Sequence, residues 1–239
     1  MKIKNIALVG NPNCGKTSLF NTLTGTRQKV ANYAGVTVER KEGSFKLPSG
    51  DAVRVLDLPG TYSLKPSSLD EEVTRAVCLG ELKGEILPDI FICVVDATNL
   101  SLHLSLVLEV RALNRPMILV LNMMDEVKKR GISIDKDKLS QLLGIPVVEA
   151  VAVKTKGIQD LINQLDQKNL FITPYHAELS HFEQVKQITK QVILNNDSGD
   201  KRTAFLDKIF LHPVLGLVIL TLTMFVMFQA VFILSLIHI

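Results

Sequence analysis

The sequence predicts an α/β protein with a mostly parallel sheet of six strands, followed by a short helical element and one transmembrane helix. Short apolar runs rich in β-branched residues recur along the first two thirds of the chain, and segments with helical spacing of apolar residues separate most of them. Strands and helices that alternate in this way favour a doubly wound parallel sheet covered on both faces. In contrast, no Asp, Glu, Lys or Arg follows Lys208.

The predicted strands are six segments: Ile6–Val9, Val38–Leu47, Ala52–Leu58, Ile90–Val95, Met117–Leu121 and Val147–Val153. The second and third flank the turn Pro48-Ser49-Gly50-Asp51, so we expect them to form an antiparallel hairpin at one edge of the sheet. The spacing of apolar residues predicts helices over Leu100–Leu113 and Ile158–Leu165.

The charge balance and the cysteines exclude several classes of protein. The formal net charge is +3 over 239 residues and basic residues are interspersed with acidic ones, so we expect no nucleic-acid partner. The three cysteines, Cys14, Cys78 and Cys93, are widely spaced. This pattern predicts neither a disulfide framework nor a zinc site, and it fits a reducing compartment.

The C-terminal part of the chain is predicted to contain a helical spacer and a membrane helix. Apolar residues at intervals near three and four predict one amphipathic helix within residues 173–207. The run Val214–Ile237 is almost entirely apolar, and its length of ~36 Å as a helix exceeds a hydrocarbon core of about 30 Å. Basic residues up to Lys208 precede this run and none follows, so the positive-inside rule places the N-terminal domain in the cytoplasm.

A phosphate-binding loop lies between the first predicted strand and a helix. Its sequence, Gly10-Asn11-Pro12-Asn13-Cys14-Gly15-Lys16-Thr17, matches the pattern G-x-x-x-x-G-K-[ST]. In such a loop the backbone N–H groups surround the phosphates, Lys16 reaches the β- and γ-phosphates, and the Thr17 hydroxyl is offered to Mg²⁺. The sequence therefore predicts a site for a nucleoside triphosphate with Mg²⁺.

Two further motifs lie at the ends of predicted strands and specify the nucleotide. In Asp57-Leu58-Pro59-Gly60, the Asp57 carboxylate is placed to hold Mg²⁺ through water and the Gly60 N–H to meet the γ-phosphate. In Asn122-Met123-Met124-Asp125, the Asp125 carboxylate can accept two hydrogen bonds from guanine. Adenine would leave that carboxylate unpaired, which opposes an adenosine-nucleotide pump and predicts GTP and GDP as the ligands.

Two weaker motifs complete the predicted nucleotide site. The segment Asn32-Tyr33-Ala34-Gly35-Val36-Thr37-Val38-Glu39 is polar and precedes the edge hairpin, and Thr37 is the expected switch threonine. Its hydroxyl would complete the Mg²⁺ shell only when a γ-phosphate is present. Val151-Ala152-Val153 stands where GTPases often carry the last guanine contact.

The order of these motifs resembles that of a TRAFAC-class GTPase with a Ras-like fold. Several strings are more specific: Asn-Pro-Asn in the phosphate loop, residues 32–39, residues 57–64, Asn-Met-Met-Asp, and Asp-Lys-Ile-Phe-Leu-His-Pro at residues 207–213. Together they resemble the bacterial ferrous iron transport protein B family, in its N-terminal GTPase domain with the first transmembrane segment.

The resemblance implies a cytoplasmic GTPase that regulates or drives Fe²⁺ uptake at the bacterial inner membrane. It also implies a permease portion of the same transporter, a small accessory protein and a homo-oligomer as partners. Residues 1–168 would be the GTP-binding domain, residues 169–207 the helical spacer, and residues 208–239 the membrane approach and transmembrane helix. The spacer is shorter than the family's helical domain, and one uncharged span cannot line an ion path, so we expect the chain to be truncated.

The residue after Gly60 is Thr61, where Ras-like enzymes carry the water-orienting Gln, so slow intrinsic hydrolysis is expected. Either an arginine finger, for which Arg27 is the candidate, or a monovalent cation could stabilise the transition state. The resemblance implies K⁺ held by the side chain of Asn11, and we favour this cation. The expected catalytic residues are thus Asn11, Lys16, Thr37 and Gly60, and the expected metal ligands are Asn11, Thr17, Thr37 and Asp57. A membrane-anchored regulatory GTPase of another process, such as ribosome assembly, is the alternative function.

Overall fold

The computed structural model describes residues 3–25, 28–150, 158–167, 180–195, 206 and 208–237. The chain divides into two units, Met1–Asn196 and Asp197–Ile239. The first is an α/β unit, and the second carries one long apolar helix.

Strands and helices alternate along most of the first unit. The strands are β1 (Asn5–Gly10), β2 (Gln28–Asn32), β3 (Glu39–Lys46), β4 (Ala52–Asp57), β5 (Ile90–Asp96), β6 (Met117–Asn122), β7 (Ser133–Ile134), β8 (Val147–Glu149) and β9 (Ile193–Asn195). The helices are α1 (Lys16–Thr24), α2 (Leu69–Leu79), α3 (Leu100–Arg111), α4 (Met124–Lys129), α5 (Lys136–Leu143), α6 (Gln159–Asp166) and α7 (His181–Val192).

The main sheet has the strand order β2-β3-β4-β1-β5-β6-β8. Strand β1 lies between β4 and β5 and pairs in parallel with both, and β5, β6 and β8 continue the parallel part. Strand β3 pairs in antiparallel fashion with β2 and with β4, and its pair with β4 is the predicted edge hairpin. The sheet is therefore mostly parallel, as predicted from the sequence.

The predicted number of six strands is wrong, because this sheet has seven. The additional strand is β2, and all five of its residues are exposed. An edge strand with solvent on both faces needs no alternation of apolar and polar residues, so the sequence carries no pattern that marks it. At the opposite edge, β8 covers the start of the predicted strand Val147–Val153, whose last three residues lie outside the described ranges.

The two faces of the sheet bury two separate apolar cores. In β5, Ile90, Ile92 and Val94 belong to one core together with residues of α1. The alternate residues Phe91, Cys93 and Val95 belong to the other core together with residues of α3 and α7. This period of two with both faces buried is what the continuous apolar sequence of a central parallel strand predicts.

Helix α7 is the amphipathic helix that the sequence predicts within residues 173–207. It begins with a capping box in which Ser180 and Glu183 each bond the other's backbone N–H. Ile188 and Val192 are buried, and the helix packs against α3 and α5. Ile193, which the periodicity places on the helix, instead begins β9, and β9 pairs in antiparallel fashion with β7.

The second unit contains α8 (Leu215–Ile237). Within it, Leu215–Ile233 has a mean hydropathy of 2.3 and is long and apolar enough to cross a membrane. The hydroxyls of Thr221 and Thr223 donate to the carbonyl oxygens of Leu217 and Ile219, one helical turn earlier. These polar side chains are thus satisfied within the helix, as a lipid environment requires.

Candidate nucleotide-binding site

The predicted phosphate loop joins the carboxyl end of β1 to the start of α1. Gly10 must be glycine, because a Cβ there would lie 2.4 Å from the Val94 carbonyl oxygen and 2.8 Å from Cys14 Sγ. Gly15 has φ +87°, and a Cβ there would lie 2.0 Å from Asn122 Nδ2. Both glycines are therefore needed for the loop to pack against β5 and β6.

Lys16 and Thr17 meet Asp57 at the end of β4. Lys16 Nζ lies 3.1 Å from Asp57 Oδ1, and the Thr17 hydroxyl donates to Asp57 Oδ2 over 3.0 Å. Lys16 is 8% exposed and Asp57 6%. A buried carboxylate thus stands beside a hydroxyl and an ammonium group, the combination expected where phosphates and a hard cation bind.

Two cavities adjoin this cluster and share Lys16, Thr17, Gly60 and Asp70. The smaller has a volume of about 230 Å³ and is lined by Lys16, Thr17, Val38, Glu39, Lys41, Asp57, Leu58, Pro59, Gly60 and Asp70. The larger has a volume of about 600 Å³ and is lined by Asn11, Pro12, Asn13, Gly15, Lys16, Thr17, Ser18, Gly60, Asp70 and Met123. Most of these residues belong to the predicted motifs, whereas Ser18, Lys41 and Asp70 were not predicted.

The predicted guanine motif occupies the end of β6 and the start of α4. The buried Asn122 amide donates to the Cys14 carbonyl oxygen over 2.9 Å. Met123 has φ +60° and turns the chain into α4, which places Asp125 in the first turn of that helix. The motif is therefore attached to the phosphate loop through Asn122. Val151, Ala152 and Val153 lie outside the described residues.

Asn11 in the phosphate loop has a buried polar side chain. It is 2% exposed and lines the larger cavity, yet neither its Oδ1 nor its Nδ2 has a hydrogen-bond partner. Leaving such a group buried and unpaired costs about 1–3 kcal/mol. We therefore expect a ligand in the larger cavity to supply the missing partner of the Asn11 side chain. Arg27, the competing catalytic candidate, lies outside the described residues.

The segment before β3 is folded around Tyr33. Its backbone N–H donates to the Val38 carbonyl oxygen over 3.0 Å, and its side chain is buried in the core. Burial raises the pKa of the Tyr33 phenol above its usual range. The structure brings Val38 and Glu39 to the smaller cavity, while Thr37 is exposed and is not among the residues lining either cavity.

Cys14 keeps its proton although it lies beside Lys16. Burial raises the pKa of its thiol to about 11. The side chain is therefore neutral at physiological pH and brings no negative charge to a loop that is predicted to bind phosphates.

The loop after Gly60, residues 61–67, is held by two glutamates that are not among the predicted site residues. We call it the switch II loop. Glu71 on α2 accepts from the Thr61 hydroxyl and from Ser67, and Glu109 on α3 accepts from Ser63. The hydrogen bonds to Ser67 hold the pKa of Glu71 below its ordinary value. Glu71 could have been found as the third residue after Ser68 in a capping pattern, whereas nothing local marks Glu109.

Within the described ranges, no group of three or more His, Cys, Asp and Glu side chains is placed to hold a metal ion. The predicted oxygen ligands Thr17 and Asp57 are instead single residues of different elements, α1 and β4.

Comparison with known proteins identifies the α/β unit. Residues 4–165 match the profile of the family described as ferrous iron transport protein B. The Fe(2+) transporter FeoB of Salmonella typhimurium is 46% identical over 188 residues, which cover 77% of this chain and 23% of that protein. FeoB of Escherichia coli K12 is 45% identical over the same length. The chain thus spans about a quarter of the length of these relatives.

Solved structures of similar sequence share the fold. The cytosolic domain of L. pneumophila FeoB aligns with a TM-score of 0.73 and 32% identity, covering 80% of this chain and all of that one. The cytosolic domain of T. maritima FeoB in a GDP form aligns with a TM-score of 0.65 and 43% identity, covering 72% of this chain and 67% of that one. The same domain in a GMPPNP form gives a TM-score of 0.64 at 37% identity, covering 89% and 83%. The seven-stranded α/β unit with its phosphate loop is therefore a GTP-binding fold, and the chain belongs to the ferrous iron transport protein B family.

Proposed function

We propose that this chain binds GTP and GDP and hydrolyses GTP to GDP and phosphate. The observation that carries the proposal is the cluster of the buried Lys16 and Asp57 with the exposed Thr17, which lies between two cavities at the carboxyl ends of β1 and β4. Ligands of α/β sheets bind at such strand ends. The related T. maritima domain has been solved in GDP and GMPPNP forms, which supports the same ligands here.

The residues present fit Mg²⁺ as the metal partner of the nucleotide. Thr17 offers a hydroxyl and Asp57 a carboxylate, both hard oxygen ligands, and the exposed Thr37 is free to join them when the switch segment closes. Bound Mg²⁺ would neutralise charge on the phosphates. Lys16 would orient the β- and γ-phosphates, and the Gly60 N–H would meet the γ-phosphate.

K⁺ is the cation that we propose for the buried side chain of Asn11. The Asn11 side chain has an unpaired carbonyl oxygen at the wall of the larger cavity, beside the residues assigned to the phosphates. A monovalent cation there would lie close to the charge that develops during hydrolysis. Thr61 is not available to take the role of the missing glutamine, because it is fully buried and its hydroxyl is bonded to Ser63 and Glu71. The cation would therefore act in place of both the glutamine and an arginine finger.

The wider role follows from the family and from α8. We infer that residues 1–168 act as the cytoplasmic GTPase domain of a ferrous iron transporter of the bacterial inner membrane. Residues 169–207 would form a spacer, and residues 208–239 the approach to the membrane and its first span. A permease portion, a small accessory protein and further copies of the chain are the proposed partners. Family membership favours iron transport over a regulatory GTPase of ribosome assembly.

Nucleotide displacement tests the base assignment. The chain in detergent micelles should release bound fluorescent GDP when GTP is added and retain it when ATP is added at the same concentration. Asp125→Asn should shift the preference to xanthine nucleotides, whose carbonyl replaces the amine that the carboxylate recognises. The exposed Asn163→Ala on α6 is the control and should keep the guanine preference. Equal competition by ATP and GTP would contradict the proposal.

A further inference from the structure

The first five residues of the switch II loop have no helix or strand, yet each of their backbone N–H groups has an acceptor. Thr61 donates to the Gly10 carbonyl oxygen over 3.2 Å, and Tyr62 donates to Glu71 over 3.4 Å. The remaining three N–H groups also find side-chain acceptors: that of Ser63 bonds Thr61 Oγ1, that of Leu64 bonds the Glu109 carboxylate, and that of Lys65 bonds Ser63 Oγ. Side chains thus accept most of the hydrogen bonds from the backbone of this loop, as carbonyl oxygens do in a sheet or a helix.

Among the side chains that accept from this loop, Glu109 is the most distant along the chain. It lies in the last part of α3, and both of its carboxylate oxygens are within 3.0 Å of Ser63 Oγ. One of them also accepts from the Leu64 N–H. Hydrogen bonds to an ionised acceptor are about twice as strong as neutral ones. The Leu64 side chain in turn packs against the core that contains α3 residues. Glu109 therefore ties the middle of the loop to a rigid helix.

The start of the switch II loop is joined to the phosphate loop. A Cβ at Gly60 would lie 3.0 Å from the N and Cα atoms of Pro12, so the Gly60 backbone already lies against the phosphate loop. The Thr61 N–H is bonded to Gly10, as described above. Because Gly10 fixes the start of the loop and Glu109 fixes its middle, the Gly60 N–H is held close to the place where a γ-phosphate would bind.

We propose that Glu109 is a positioning residue that makes the site prefer the triphosphate. This inference rests on the proposed GTPase function. Glu109 touches no nucleotide; it presets the switch II loop, so less order has to be gained when the γ-phosphate meets Gly60. A diphosphate has no γ-phosphate and makes no such contact, so its binding is independent of the tether. The α3 helix that carries Glu109 also packs against α7.

The experiment compares the affinities of fluorescent GDP and GMPPNP for the full chain in detergent micelles. Glu109→Ala should weaken GMPPNP binding about tenfold and leave GDP binding within about twofold of the original. Glu109→Gln keeps one oxygen for the Leu64 N–H, so its affinity for GMPPNP should lie between those of Glu109→Ala and the unaltered chain. Ser63→Ala removes the hydroxyl on the other side of the same contact and should act in the same direction. Combining Ser63→Ala with Glu109→Ala should give less than the sum of the two effects.

Two controls separate positioning from general damage. Glu72→Ala removes an exposed carboxylate from α2 and should leave both affinities unchanged. Ser63→Ala keeps α3 intact, so it tests the tether even if Glu109→Ala lowers the thermal midpoint. An equal loss of GDP and GMPPNP affinity in Glu109→Ala and Ser63→Ala, or no loss of either, overturns the inference. If the unaltered chain binds neither nucleotide, the proposed GTPase function fails and the inference fails with it.

Discussion

The side-chain amide of Asn122 donates to the carbonyl oxygen of Cys14 over 2.9 Å and so joins the end of β6 to the phosphate loop. The contact requires the absence of a side chain at Gly15, whose Cβ would lie 2.0 Å from Asn122 Nδ2. The proposed sites for the base and for the phosphates are therefore in direct contact, because the residue that begins the predicted guanine motif also packs against the predicted phosphate loop.

Gly15→Ala should weaken GDP binding by at least about tenfold, because the new methyl group must displace Asn122 and the residue is strained at φ +87°. Gly50→Ala is a matched control: its φ is +86°, but nothing lies within 4 Å of its Cβ position in the hairpin turn. Both substitutions carry a strain of about 1–2 kcal/mol. Titration with fluorescent GDP measures the difference, and an equal loss of affinity in the two variants would contradict the proposed contact.

The parts of the site that can be predicted from the sequence are those formed by short motifs of consecutive residues. The phosphate loop and Asp57–Gly60 lie at the cavities because each directly follows a buried strand, which a period of two or a continuous apolar run reveals. Asn122 meets the same loop because parallel strands end at one edge of the sheet. Local motifs and strand order together were enough to place these groups.

Other features depend on contacts between distant segments. Glu109 meets Ser63 across 46 residues, and no spacing rule connects them. Strand β2 is exposed on both faces, so it pairs with β3 through its backbone without an apolar pattern. Ile193 leaves the predicted helix because β7 offers it a strand partner. In each case tertiary packing decides a structure that the local sequence leaves open.

His103 should make the stability of the α/β unit depend on pH. The side chain is 5% exposed on α3, and burial lowers its pKa below the ordinary value of 6.5. The unfolded chain then binds a proton more readily than the folded one below about pH 6.5, so stability is complete above that pH and is lost as the pH falls. His103→Gln should remove part of this loss.

Thermal unfolding of the chain in detergent micelles at pH 8.0 and pH 5.5 checks this expectation. The fall in midpoint between the two should be smaller in His103→Gln than in the unaltered chain. At pH 8.0 neither state binds a proton at this position, so a comparison there gives the effect of the substitution on packing alone. An unchanged difference between the two pH values would contradict the role of His103.

Met224 lies at the middle of the candidate span, so a charge there should oppose membrane insertion. Met224→Arg is expected to disfavour insertion by about 2.5–3.5 kcal/mol. Val214→Arg, at the start of the apolar run, is the matched control, because an arginine near the end of a span can reach the interface. Resistance to alkaline extraction from membranes measures insertion. Equal extraction of the two variants would argue against a span over Leu215–Ile233.

The buried, unpaired side chain of Asn11 should make GTP hydrolysis depend on K⁺. Turnover is compared in KCl and NaCl at equal ionic strength, so that screening of charges is the same in both salts. The unaltered chain should hydrolyse GTP at least about tenfold faster in KCl, because a cation at the phosphates stabilises the developing charge. Asn11→Ala should remove that difference by removing the proposed oxygen ligand.

Arg27→Ala separates the cation from an arginine finger in the same chain. If K⁺ acts through Asn11, this variant keeps its stimulation by KCl and its rate stays within about twofold of the original, since a solvated arginine contributes little. An arginine finger is worth about 10³–10⁵-fold in rate, so its loss would be unmistakable. Equal rates of the unaltered chain in both salts, together with a collapse of turnover in Arg27→Ala, would overturn the cation proposal and favour Arg27.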